Sequence, residues 1–189
     1  MKRLPLLSAL VLMSSLLVTH FASAAEPVFL LLPVLEAPTA TIPNAVRKEC
    51  SLFSYIGDTT LAAMQKQDPS VLAISKADEA GAAKALRLTV LFVRGYGGGA
   101  WSGDKVVGLR ADLLQGAATV SSKAFVRSSS GGFFGGFKGT CTILERDALA
   151  LARDVAKWLG QGAPAQKGLP PEPEATPASK PQAPATSTE

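Results

Sequence analysis

The chain has 189 residues with 19 lysines and arginines against 15 acids, so its formal charge is only +4. A small balance of that kind argues against a nucleic-acid binder, which needs a concentrated basic face. The one histidine and two cysteines leave little material for histidine-dependent catalysis or a thiolate-rich metal site.

The first 24 residues read as a secretory leader. Lys2 and Arg3 form a positive start, Leu6 to Val18 is apolar apart from small residues, and Ala22-Ser23-Ala24 fits the small-x-small cleavage pattern. Cleavage there removes His20 and leaves 17 basic residues against 15 acidic ones. The mature chain is then free of histidine, which excludes Ser-His-Asp triads, Cys-His pairs and histidine-ligated zinc. An exported chain with a sparse, even cysteine count is expected to form one disulfide, here Cys50–Cys141.

Val28 to Leu35, "VFLLLPVL", is short and apolar, as a buried strand would be. Pro38 and Pro43 keep the following segment extended or turning. From Ser51 to Lys66, the residues Phe53, Ile56, Thr60, Ala63 and Met64 approximate one helical face, and Asp68-Pro69 ends it. "VLAIS" (71–75) is a short strand. "KADEAGAAKA" (76–85) is a loop with room for a helical turn.

Three strands of period two follow. They are Leu86–Arg94, with Leu86, Leu88, Val90 and Phe92 on one face; Asp104–Gln115, with Val107, Leu109, Ala111 and Leu113; and Ala117–Arg127, alternating more weakly through Val120, Ala124 and Val126. Asp112 falls opposite the apolar stripe and reads as a solvated acid. A tight turn at Gln115-Gly116 joins the second and third strands into an antiparallel meander. Thr142 and Glu145 have capping-box spacing ahead of a helical stripe through Leu144, Ala148, Leu151, Val155 and Trp158. Beyond Gly160 the chain is rich in Pro, Ala, Ser and Thr and cannot bury enough apolar surface to offset its ordering entropy.

The expected organisation is a leader (1–24), one α+β domain (25–160) and a disordered tail (161–189). The domain is a two-layer sandwich of order β-α-β-β-β-β-α, with two helices covering an antiparallel meander.

Two glycine-rich segments stand out: "GYGGGAWSG" (95–103) and "SSSGGFFGGFKG" (128–139). The up-down-up course of the meander puts both at one end of the sheet. That end gathers Tyr96, Trp101, Phe133, Phe134 and Phe137 with Arg94, Lys105, Arg127 and Lys138. Nucleotide binding is excluded on context. Gly95-x-Gly97 does not open a helix within a βαβ unit, and Phe137 stands where a phosphate loop needs lysine. Two readings stand. The loops form a contact surface for an envelope protein, peptide, glycan or lipid, or their aromatics fold back to plug the sandwich. No cofactor, metal, nucleotide or nucleic acid is expected. The rival classes are a carboxylate-dependent hydrolase and a thiol redox protein, although no acid pair is placed by spacing and there is no C-x-x-C.

The element order, the leader and the glycine-rich hairpins resemble small envelope proteins of Gram-negative bacteria, in outline the YajG-type lipoproteins and the N-terminal domain of TolB. The resemblance spans roughly residues 28–160 and implies a periplasmic binding or scaffold role, soluble after leader cleavage. This chain lacks a lipid-attachment cysteine after the leader, and no functional residue carries over.

Overall fold

The computed structural model describes residues 27–95, 104–129 and 139–164. The fold is α+β, a single mixed sheet with helices packed on it. Its strands are β1 (Val28–Leu31), β2 (Leu35–Thr41), β3 (Ala73–Ile74), β4 (Lys84–Arg94), β5 (Lys105–Gln115) and β6 (Ala118–Ser129). The helices are α1 (Asn44–Glu49), α2 (Leu52–Gln65) and α3 (Thr140–Gly160), with a 3-10 turn at Ala77–Ala80.

The sheet runs β3-β1-β4-β5-β6, and β2 joins β4 beside β1. β4, β5 and β6 form the expected antiparallel meander. Gly116, with φ +59°, makes the turn between β5 and β6. The N-terminal strands change the character of the sheet. The single strand expected over Val28–Leu35 is interrupted by the cis Leu32-Pro33 bond, and its two pieces, β1 and β2, each pair parallel with β4.

Register corrects two face assignments. A bulge between Val90 and Phe92 turns the strand over, so Phe92 lies opposite Gly108 on the face away from the helices, and Val93 takes the core position opposite Val107. A second irregularity between Leu113 and Leu114 shifts β6. Phe125 therefore points into the core, while Val120 and Val126 remain 46% and 55% exposed.

Leu86, Leu88, Val90, Val107, Leu109 and Ala111 are buried under Ile56 and Met64 of α2 and Leu144, Leu151 and Val155 of α3. Each large aliphatic side chain so buried contributes roughly 1.5–3 kcal/mol. α2 approaches the residue after β1 closely at Gly57, where a Cβ would lie 2.8 Å from a Leu32 methyl. Trp158 is 1% exposed and sets its ring edge-on to Phe125 at 6.0 Å, and its indole N–H donates to the Pro164 carbonyl at 3.0 Å.

α3 begins at Thr140, three residues earlier than the capping box requires. Its N-cap is Gly139, with no side-chain cap bond, so Thr142 lies inside the first turn and is exposed. The stripe through Leu144, Ala148, Leu151, Val155 and Trp158 is buried as expected.

On the opposite face of the sheet, cover at one end comes from the 3-10 turn, which brings Ala80 against Ala85 and Leu114. At the other end the Phe92 ring lies over Gly108, where a Cβ would be 2.4 Å from a ring carbon. Gly108→Ala should therefore lower stability by about 1–2 kcal/mol in urea unfolding. Most of that loss should vanish when the same change is made beside Phe92→Ala, because the clash is with that ring.

Candidate functional site

The end of the sheet that carries the two glycine-rich segments is assembled from five elements. Arg94 pairs with Val106, and Lys105 pairs with Ser129, so the outgoing end of β4, the start of β5 and the end of β6 lie side by side. Gly95, the last described residue before the first segment, is buried. A Cβ there would lie 3.2 Å from Thr140, 3.3 Å from Val46 and 3.4 Å from Leu144. The root of one segment thus touches the helix that follows the other. The disulfide Cys50–Cys141, with its Cα atoms 5.2 Å apart, fastens the first turn of α3 to the residue after α1.

Of the residues singled out in the sequence, Tyr96, Trp101, Phe133, Phe134, Phe137 and Lys138 lie outside the described residues. Arg94 and Arg127 are both exposed, yet they occupy opposite faces. Arg94 pairs with Val106 on the face away from the helices and holds its guanidinium 5.8 Å from the Phe92 ring centre. Arg127 pairs with Val107 on the helix face and donates through two nitrogens, at 2.6 Å each, to the Asp154 carboxylate on α3. The hydrogen bonds and charge of Asp154 raise the pKa of Arg127. The two arginines therefore do not converge on one spot.

Sequence reasoning missed a buried polar group at this same end. Asp147 is 1% exposed, and Oδ1 accepts from the Ser129 hydroxyl. Among the described residues Oδ2 has no hydrogen-bond partner. Lys105, at the start of β5, is 2% exposed. The signal was available: Asp147 falls between Ile143 and Leu151 on the apolar stripe of α3. Burial raises the Asp147 pKa against the opposing pull of Ser129, Arg146 and Arg127, and Asp104 raises it further. The folded pKa therefore lies above the unfolded one. Ionisation costs stability at neutral pH, and that cost is relieved as pH falls through the folded value. Asp147→Asn should be more stable than the parent at pH 7, and the difference should close toward acid pH in parallel thermal melts.

Asp112 also departs from expectation. It is 3% exposed rather than solvated, because Arg87 and Arg110 share its face and cover it. Among the described residues, no group of three His, Cys, Asp or Glu could hold a metal, and no helix is long and apolar enough to cross a membrane.

No family model matches the chain, and no curated protein matches it. Solved structures do. A Xanthomonas campestris protein of the DUF330 family is similar with a TM-score of 0.50 at 13% identity, over 72% of this chain and 86% of that one. A PelC dodecamer from Paraburkholderia phytofirmans matches with a TM-score of 0.45 at 14% identity, over 69% and 89%. A putative lipoprotein from Caulobacter crescentus matches with a TM-score of 0.40 at 16% identity, over 66% and 90%. The first likeness is one of fold.

Proposed function

We propose that this chain is an exported, non-catalytic binding or structural module of the bacterial cell envelope, soluble after removal of residues 1–24. Its contact surface is the pair of glycine-aromatic segments, 95–103 and 128–139. The observation that carries this reading is the adjacency of their roots: Lys105 pairs with Ser129, and Gly95 sits against Thr140. Glycines give such segments freedom, aromatics give them anchoring area, and the disulfide at Cys141 fixes the base from which they project. The partner belongs to the envelope and is a protein, peptide, glycan or lipid.

A photo-crosslinking residue placed at Trp101 and, separately, at Phe134 tests this in cells. Both positions should yield the same discrete adduct, while Val120, exposed at the far end of β6, should yield none. With the photo-crosslinking residue moved to Phe133, Trp101→Ala with Phe134→Ala should abolish the adduct that Phe133 otherwise gives and leave the melting temperature within a few degrees of the parent. A large fall in melting temperature with no adduct at either position would assign these aromatics to plugging the sandwich instead.

A further inference from the structure

A cavity of about 220 Å³ opens between the C-terminal ends of α2 and α3, away from the glycine-rich end. Val28, Met64, Val71, Leu159 and Gly160 line it, and Gln67 and Asp68 stand among them. Met64 and Val71 are buried and give the cavity an apolar, packed part, while Gln67 and Gly160 are exposed. The Asp68 carboxylate accepts from the Ser70 hydroxyl at 2.6 Å and from the Ser70 backbone N–H at 2.9 Å, which lowers its pKa and holds it ionised. The cavity therefore joins an apolar part to a fixed negative charge. It is smaller than the roughly 300–1,000 Å³ of ordinary small-molecule sites and suits a side chain or two.

We propose that the occupant is Leu169 of this same chain, with Lys167 beside Asp68. Residues 165–189 contain one large apolar side chain, Leu169, and a lysine stands two places before it in "QKGLPP" (166–171). The starting point of that segment is fixed. Gly162 (φ +80°) and Ala163 (φ +49°) turn the chain back at the end of α3. The Ala163 carbonyl then accepts from Ser121 at 2.5 Å, and the Pro164 carbonyl accepts from Trp158. The five residues from Pro164 to Leu169 span at most about 17 Å. That exceeds the ~10 Å diameter of the helix whose end they must round to reach the Gly160 side.

Covalent attachment favours this occupant over a free one, since a short tether supplies a millimolar effective concentration. The chain's other end is a poor competitor. With residues 1–24 removed as proposed, only Ala25, Glu26 and Pro27 precede Val28, too few to turn back into the cavity that Val28 lines, and Glu26 would meet Asp68 with like charge. Docking of Leu169 makes the Pro-rich remainder leave from the pole opposite the glycine-aromatic segments, about 30 Å away along the 21 residues of α3.

The test uses the full mature chain in solution NMR. Contacts between the Leu169 methyls and those of Val71 and Met64 are expected. Leu169→Ala should abolish them and shift the Val71 and Gly160 amides while leaving the melting temperature nearly unchanged. Lys167→Asp should weaken the contacts, and Asp68→Lys in the same chain should restore them. All of these signals should survive tenfold dilution. Absence of the contacts, with no amide shift in the Leu169 variant, would overturn the proposal. Contacts that fade on dilution would also overturn it, because the occupant would then be a second copy.

Discussion

Asp112→Ala is expected to lower the stability of this domain by about 3 kcal/mol. Asp112 lies on β5, which has β4 on one side and β6 on the other, on the sheet face away from the helices. Its carboxylate accepts from Ser122 Oγ at 2.5 Å, from Arg87 Nη2 at 3.2 Å and from Arg110 Nε at 3.2 Å. The carboxylate side chain is 5% exposed, Arg110 is 12% exposed and Arg87 is 33% exposed. Those exposures decide where the effect comes from. Arg87 reaches water, so its ion pair alone contributes under about 1 kcal/mol. Arg110 is largely desolvated, and removing the acid takes away a charged partner held at 3.2 Å and the acceptor of the Ser122 hydroxyl. Urea unfolding should show the midpoint falling with little change in slope. Arg87→Ala should cost much less than Asp112→Ala, and near-equality of the two would mean that burial of Arg110 is not the source.

Loss of the cross-link is the second large effect. The double variant Cys50→Ala, Cys141→Ala should lose about 3 kcal/mol relative to the oxidised parent. The bond joins residues 91 apart in sequence, and closing so long a loop removes much of the freedom of the unfolded chain. For a domain of this size the melting temperature should drop by about 10 °C. Oxidised parent and variant should show similar folded-state circular dichroism, since α1 and α3 have other anchors at Val46, Gly95 and Leu144. Reduction of the parent should reproduce the shift, and a parent that melts at the same temperature with and without reductant would refute the entropic account.

The parts of the fold that were legible in the sequence share a property: their patterns are local. The meander follows from period two in β4 and β5 and from a glycine turn, and α3 follows from a long apolar stripe. The pairing of Cys50 with Cys141 followed from there being two cysteines in a chain that opens on a leader-like segment. What was not legible depends on pairing between distant segments. Nothing in "LEAPTAT" announces a strand, because Pro38 lowers its propensity. β2 exists because β4 offers it a partner over Thr89–Phe92. The bulges that turn Phe92 outward and shift β6 leave no residue signature, since a one-residue slip is settled by the packing of the whole sheet. For the candidate site, the neighbouring roots of the two glycine-rich segments followed directly from the meander. The burial of Asp147 and Asp112 did not, because a polar residue on a strand or helix reads as solvated until its cover is known.

The position of β4 between two kinds of neighbour separates the chain into unequal kinetic tasks. Residues 84–160 can zip together from hairpin turns and an adjoining helix, all of short sequence separation. The segment from Val28 to Ile74 has to find the remaining side of β4 by parallel pairing across a long span, at greater entropic expense. Until it arrives, one flank of β4 is an uncovered template for strands of other molecules. Where thiols are oxidised, the bond between Cys50 and Cys141 acts as a latch that keeps the long-range segment docked once it has arrived.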